Sequence, residues 1–138
     1  MASTNNGRVN THDKGVRMQA LCLQEFLQHL QAQTVNVFAV WNAPNLRPAK
    51  RPLYLPQATE YSNKDFLGDW DLAVWAMAFV QPREYRIQVK SAFREDEYKR
   101  LLIKWRGAHT TMYYAVYGHN PQRKADIVLP HFKLFRIW

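Results

Sequence analysis

Cysteine is scarce in this sequence: Cys22 is the single thiol among 138 residues. One cysteine excludes an intrachain disulfide framework and a zinc site built from several cysteines. Cys22 lies within a helical apolar pattern, so we expect a buried and unreactive thiol. This cysteine content is compatible with a reducing compartment, and we expect a cytoplasmic protein that is not secreted.

Long apolar runs and several well-known motifs are also missing. No run of about 18 apolar residues is present, so the sequence predicts no transmembrane helix. The opening letters, MASTNNGRVNTHDKG, hold no apolar segment of the kind found in a secretory signal. The sequence contains no GxxxxGK[ST], GxGxxG, HExxH or GxSxG pattern. These absences argue against a nucleotide-binding loop and a histidine-based zinc site.

Acidic residues are outnumbered: 11 Asp and Glu face 19 Lys and Arg, for a formal net charge of +8. Such an excess favours a polyanionic partner, of which nucleic acid is the commonest, although it can also serve solubility alone. We predict that the following residues contact phosphate or DNA: Lys14, Arg17, Arg47, Lys50, Arg51, Lys64 and Ser91.

The chain length fits one domain, which we place at residues 14–138 after a polar, flexible tail at 1–13. Leu23, Phe26 and Leu30 follow helical spacing and predict an amphipathic first helix. Residues 35–41 are typical of a strand. Residues 43–68 carry four of the seven prolines together with basic side chains, and predict an extended Pro-rich basic arm.

The second half alternates strands with one helix. Residues 71–80 and 84–93 resemble two strands joined near Gln81-Pro82-Arg83. Residues 110–118 predict a strong strand, and residues 125–130 and 132–138 give one or two more. Between the paired strands and the later ones, residues 94–107 show acidic residues first, basic residues last and a terminal Gly107, the pattern of a helix. The order predicts an α/β or α+β fold around a mixed sheet.

Polar side chains interrupt the second of these paired strands. Gln88 and Lys90 lie on one strand face because successive side chains alternate. A lysine among apolar residues needs a partner, and Asp71 at the start of the preceding strand is the natural one. A carboxylate, an amide oxygen and a lysine that converge on a strand pair suit a hard cation such as Mg²⁺ and phosphodiester hydrolysis.

The stretch GDWDLAVW…YRIQVKSA resembles the PD-(D/E)xK nuclease superfamily, whose Q-x-K variant matches here. The resemblance implies a restriction-endonuclease-like αβββαβ core and a metal-dependent endonuclease with Mg²⁺, for which Mn²⁺ substitutes. By resemblance, Asp71 is the motif aspartate, with Asp69 its competitor, Gln88 the variable ligand and Lys90 the motif lysine. Glu25 matches the carboxylate of the preceding helix. The implied metal ligands are Asp71, Gln88 and Glu25.

Gln88 stands where the superfamily usually has an acid, which leaves one negative charge fewer at the site. The leading prediction is a DNA endonuclease. Its first subtype is a Holliday junction resolvase-like homodimer on branched or duplex DNA, and a homing or restriction type is the next choice. A non-catalytic nucleic-acid-binding module with a degraded metal site is the alternative. A third interpretation is a protein-binding factor that uses the Pro-rich arm and the aromatic C-terminus as its interface.

Overall fold

The computed structural model describes residues 2–42, 70–108, 110–118 and 123–138. The predicted basic arm, with Arg47, Lys50, Arg51 and Lys64, and the alternative ligand Asp69 lie outside the described residues. The described residues form two helices and six strands: α1 (Ala2–Ala32), β1 (Asn36–Asn42), β2 (Leu72–Ala78), β3 (Gln81–Lys90), α2 (Glu95–Lys104), β4 (Thr111–Tyr117), β5 (Ile127–Val128) and β6 (Phe132–Arg136).

The strands form one mixed sheet in the order β1-β2-β3-β4-β6-β5. β1, β2 and β3 make an antiparallel meander, and α2 then carries the chain across to β4, which is parallel to β3. β6 pairs antiparallel with β4, and the short β5 pairs antiparallel with β6 at the edge. The predicted class, a mixed sheet combined with helices, is confirmed.

The first helix begins at Ala2, earlier than the apolar pattern indicates. Residues 2–13 were predicted as a flexible tail because they lack an apolar stripe, but they also lack proline and continue the helix backbone. Their flexibility stays a prediction. Although α1 has 31 residues, no helix in the described part of the chain has the length and apolar character needed to cross a membrane.

Apolar residues cover both faces of the sheet because each face packs against one helix. On the first face, Cys22, Phe26 and Leu30 of α1 pack with residues of β2 and β3 such as Leu72 and Ile87. The second face carries a separate buried cluster with α2: Tyr98, Leu101, Ala73, Trp75, Met112, Tyr114, Val116 and Phe135. Strand alternation therefore directs Gln88 and Lys90 toward the α2 face.

The second helix agrees closely with its sequence pattern. Tyr98 and Leu101 are buried, while Leu102 and Trp105 pack partly buried against the same cluster. Gly107 follows the helix with φ +82°, a conformation in which a side chain would be strained. The acidic first turn, Glu95, Asp96 and Glu97, lies at the positive end of the helix dipole.

The turn between β2 and β3 differs from the predicted one. Gln81, Pro82 and Arg83, expected in the turn, begin β3, and Ala78 pairs with Gln81 across a two-residue turn at Phe79 and Val80. Both turn residues are apolar and favour strands, so their composition concealed the turn. The long separation of Asp71 from Gln88 is spanned by long strands rather than by a long loop.

Candidate active site

Asp71 is held against β3 by two backbone contacts. Its N–H donates to the Ile87 carbonyl at 3.0 Å, and its Oδ2 accepts the Val89 N–H at 2.8 Å. Because Leu72 pairs with Ile87, extending that register by one residue places Asp71 opposite Gln88. The structure thus brings Asp71 beside the Gln88–Lys90 segment, as the sequence predicts.

The ionised form of Asp71 is disfavoured in this position. Burial raises the pKa of its carboxyl group above the ordinary value. The Val89 hydrogen bond and the positive charge of Lys90 lower that pKa, and the negative charge of Glu97 raises it further. Burial outweighs the stabilising contacts, so folding shifts Asp71 toward the protonated acid unless additional positive charge approaches.

Gln88 carries a side-chain amide on the strand next to Asp71. Its side chain is half-buried on the α2 face of β3, beside Tyr114 in the parallel register with β4. No hydrogen bond within the described residues engages the Gln88 amide or the Oδ1 atom of Asp71. As far as the described part of the chain goes, two oxygen-bearing groups on neighbouring strands are therefore available to a ligand.

The direct partner of Lys90 differs from the predicted one. The Lys90 ammonium forms an ion pair with Glu97 of α2, with 3.0 Å between Nζ and Oε2. The expected ion pair with Asp71 is therefore wrong as a direct contact, although the Lys90 charge still lowers the pKa of Asp71. The parallel crossover through α2 explains the change, because it brings the first turn of α2 over the end of β3.

Glu97 is fixed by a second partner on the sheet. The Tyr114 hydroxyl donates to Glu97 Oε1 at 3.1 Å and accepts the backbone N–H of Arg94 at 3.3 Å. Burial, countered by the Arg94 N–H and reinforced by the nearby Glu97 carboxylate, raises the pKa of Tyr114 to about 12. Tyr114 is therefore a neutral donor at physiological pH, and it holds Glu97 where it can pair with Lys90.

Glu25 has a different partner from the one that the nuclease resemblance implies. It is 5% exposed, and its Oε1 accepts the His131 backbone N–H at 2.9 Å while Oε2 contacts His131 Nδ1. No hydrogen bond or ion pair among the described residues joins it to Asp71, Gln88 or Lys90. Glu25 and Asp71 do share a neighbour, since burial and then both carboxylates raise the pKa of the Cys22 thiol. The predicted burial of Cys22 is confirmed, and its low reactivity stays a prediction.

A cleft of about 990 Å³ opens between α1 and the end of β3. Lys90 lies on its wall, together with three residues predicted to contact nucleic acid: Lys14, Arg17 and Ser91. Tyr117 also lines the cleft, and the His131 ring stacks on it at 6.1 Å between centroids. The cleft combines three basic side chains with an aromatic ring, a combination suited to a nucleic-acid strand.

The residues present offer a cation fewer carboxylates than a tight metal site has. Among the described residues, no group of three or more His, Cys, Asp or Glu side chains is arranged to hold a metal ion. Mg²⁺, however, commonly uses one or two carboxylates and keeps several waters. Asp71, whose carboxylate is destabilised by burial, and the unengaged Gln88 amide fit such a site.

Two residues of this region were missed by sequence reasoning. Glu97 was interpreted only as a favourable charge for the helix dipole, and its spacing one turn from Leu101 was the signal that it faces the sheet. His131 is the other, and its contact with Glu25 spans 106 positions. No local pattern reveals a contact of that range.

Comparison with known proteins finds no matching family model, no similar curated sequence and no similar solved structure. The function of the chain is therefore inferred from its own residues and geometry.

Proposed function

We propose that this protein is a metal-dependent DNA endonuclease whose site is formed by Asp71, Gln88 and Lys90. The observation that carries the proposal is the hydrogen bond from the Val89 N–H to Asp71 Oδ2, which joins the aspartate to the Q-x-K segment. The two motif halves are 18 positions apart in sequence. Antiparallel pairing of β2 and β3 makes the two halves neighbours, and this hydrogen bond fixes the Asp71 carboxylate against the segment.

The order of elements supports the same proposal. An α1, a three-strand meander, a crossover helix and a strand parallel to β3 give an αβββαβ arrangement. A restriction-endonuclease-like core has this order of elements. In such a core the motif aspartate and lysine lie at the ends of adjacent strands. β5 and β6 extend the sheet beyond that core.

Asp71 and Gln88 would hold Mg²⁺ or Mn²⁺, with Glu25 reaching the site only if its contacts to His131 are exchanged. A bound cation supplies Lewis-acid stabilisation and a more acidic water at the scissile phosphate. A cation bound beside Asp71 would lower the raised pKa of its carboxyl group, because positive charge stabilises the ionised form that binds a metal.

Lys90 is the candidate for orienting the attacking water and stabilising charge on the phosphate. In the protein alone its ammonium pairs with Glu97. The side chains of Lys90 and Glu97 are 30% and 19% exposed, so solvent reaches the ion pair. Lys90 also lines the cleft, so a phosphate bound there can reach its ammonium. Glu97, itself held by Tyr114, acts as a positioning residue for Lys90.

Branched DNA is the substrate class that we favour, followed by a homing or restriction-type target. The described residues form one mixed sheet with two helices, an arrangement that favours recognition of DNA shape or recognition by a second copy of the chain. Cutting both strands of a branch then requires a homodimer. A non-catalytic nucleic-acid-binding module remains the rival, because Gln88 supplies no charge to a metal.

Phosphate binding in the cleft is tested with the double variant Lys14→Gln/Arg17→Gln. We expect weaker binding to duplex and branched DNA alike, and a slope of log affinity against log salt reduced by about two, because each lost phosphate contact changes the slope by about one. Fluorescence anisotropy over a range of salt concentrations measures both quantities.

The matched control removes two exposed lysines elsewhere, Lys99→Gln/Lys124→Gln, and also lowers the net charge by two. If the control variant loses as much affinity and slope as the cleft variant, binding depends on total charge and the cleft has no special role.

Gln88→Glu tests whether the glutamine weakens metal binding. The added carboxylate lies beside Asp71, so we expect tighter Mg²⁺ binding and a lower metal concentration for half-maximal cleavage. Isothermal titration of the metal and cleavage rates at varied Mg²⁺ provide two readouts. Unchanged metal affinity in Gln88→Glu would remove this residue from the ligand set.

A further inference from the structure

The turn between β2 and β3 presents apolar side chains to solvent. Phe79 is 100% exposed and Val80 is 93% exposed. Neither side chain contributes to either buried cluster of the sheet. An isolated exposed apolar residue is ordinary, but two successive ones at the tip of a hairpin form a projecting apolar wedge.

The backbone of the same turn is unfavourable for its sequence. Phe79 has φ +59°, in the left-handed region that bulky side chains rarely adopt. Glycine or asparagine is normal at this position of a two-residue hairpin turn. Phenylalanine therefore destabilises this turn relative to glycine or asparagine, and its exposed ring packs against no buried cluster.

A polar cleft of about 510 Å³ begins immediately after the turn. Gln81, Pro82 and Arg83 lie on its wall, opposite His29 at the end of α1 and Arg136 at the end of β6. Arg83 forms no hydrogen bond or ion pair with the described residues. The acidic residue on the wall, Glu84, is neutralised by Arg86 at 2.7 Å.

Aromatic rings form part of this cleft as well. Tyr113 and Tyr85 line it, and the Arg136 guanidinium lies 5.8 Å from the centre of the Tyr113 ring. Burial raises the pKa of Tyr113, the charges of Arg136 and Arg83 lower it, and Tyr85 and the carboxylate of Asp126 raise it, so two cations and one carboxylate act at that ring. Cations beside rings and next to a projecting phenylalanine suit an anionic ligand with flat apolar groups.

We propose that this end of the molecule is a second DNA contact, in which Phe79 inserts at a base step while Arg83 and Arg136 hold the adjacent phosphates. Inserted phenylalanines that unstack a base step are a known mode of DNA binding. Concave placement of the cations favours a phosphate backbone over a flat lipid surface. The inference rests on the proposed function for its choice of DNA.

The distance between the two sites sets the length of DNA required. β3 runs from the tip to Lys90, and its ten residues span about 30 Å at about 3.3 Å per residue. That length corresponds to about nine base pairs of duplex. A duplex arm shorter than this cannot reach from Lys90 to Phe79, and a longer arm can contact both.

Phe79→Asn, Arg83→Gln and wild type are compared for binding to four-way DNA junctions without divalent metal, with arms of about six or about twenty base pairs. We expect Phe79→Asn to weaken binding to the long-arm junction roughly tenfold and to leave the short-arm affinity unchanged. Arg83→Gln weakens the long-arm complex and reduces its salt slope by about one. Junctions with 2-aminopurine about nine base pairs from the branch should brighten with wild type and not with Phe79→Asn, because an inserted ring unstacks the base.

Ile103→Asn is the matched control, because Ile103 is an apolar residue that is 68% exposed on α2. It should leave binding to both junctions unchanged. Phe79→Asn is also expected to raise the Tm, since asparagine tolerates the left-handed conformation, so lost binding cannot be attributed to unfolding.

Equal affinities of wild type and Phe79→Asn for the long-arm junction would overturn the proposal. So would a loss of binding to anionic phosphatidylserine vesicles with unchanged DNA binding, which would assign the tip to a membrane. The proposed function fails separately: a protein that binds long arms through Phe79 but never cuts DNA is a binding module with this contact intact.

Discussion

Asp71→Asn is expected to abolish metal-dependent cleavage and at the same time to stabilise the fold at neutral pH. We expect loss of the proposed metal-binding carboxylate to remove several kcal/mol of transition-state stabilisation, or to slow cleavage about 10³-fold. The asparagine oxygen can still accept the Val89 N–H that holds Asp71 in place. Single-turnover cleavage and thermal unfolding measure the two effects on the same variant.

The sign of the stability effect follows from the raised pKa of Asp71, whose largest cause is burial. A carboxyl group with a raised pKa binds its proton more tightly in the folded state than in the unfolded chain. Below the pKa that Asp71 has in the unfolded chain, its protonated carboxyl makes its full favourable contribution to the free energy of unfolding. That contribution is lost as the pH rises through the pKa of Asp71 in the folded protein. At neutral pH wild type therefore carries the cost of a buried, ionised carboxylate, which the neutral asparagine side chain of the variant avoids.

The Tm difference between Asp71→Asn and wild type should therefore grow from acidic to neutral pH. Added Mg²⁺ should reduce it again, because a ligand that binds only the folded wild type raises its stability. A variant that is less stable than wild type at every pH would show that Asp71 is a structural cap of β3. In that case the structural role alone would account for the Asp71 carboxylate, without metal binding.

Lys90→Ala is expected to reduce the cleavage rate about 10²- to 10³-fold, the usual cost of removing one charge-stabilising group from an active site. Binding of DNA in the absence of metal should fall far less, because Lys14 and Arg17 share the wall of the same cleft. Cleavage rates under saturating protein, together with dissociation constants from anisotropy, separate the two contributions.

Lys124→Ala serves as the control, because it removes an exposed lysine from a different part of the chain. Glu97→Gln adds a second comparison: it keeps an acceptor for the Tyr114 hydroxyl but removes the charge that pairs with Lys90. If Lys90→Ala and Lys124→Ala cut DNA at the same rate, Lys90 has only the structural role of an ion pair with Glu97.

Local patterns predicted the helices and strands of this fold well where one face is apolar. The α2 stripe of Tyr98, Leu101 and Trp105 indicated its position and its buried side, and alternation placed Gln88 and Lys90 on one face. Local patterns did not predict the conformation where a helix is polar on all sides or where a turn is apolar. The polar start of α1 carries no stripe, and the apolar Phe79-Val80 pair conceals a turn.

Of the candidate site, the sequence predicted only the part that lies on the β2–β3 hairpin. Asp71 reaches the Q-x-K segment because antiparallel pairing makes β2 and β3 neighbours, a consequence that the sequence order already contains. The partners of Lys90 and Glu25 depend instead on how α2 and the segment before β6 pack over the sheet. These contacts join elements that are distant in sequence, and no local pattern shows how such elements pack. They are decided by which residues become buried together, not by local spacing.

Cleavage of end-labelled DNA by the wild-type protein is the most direct test of the proposed active site. Wild type and Lys90→Ala are each incubated with a four-way junction or with a linear duplex of the same sequences. Each reaction contains Mg²⁺, Mn²⁺ or a chelator. We predict metal-dependent products with wild type, preferentially from the junction, and almost none with the variant. Tight, salt-sensitive binding of both DNAs with no product under any metal condition would contradict an enzyme and support the binding module.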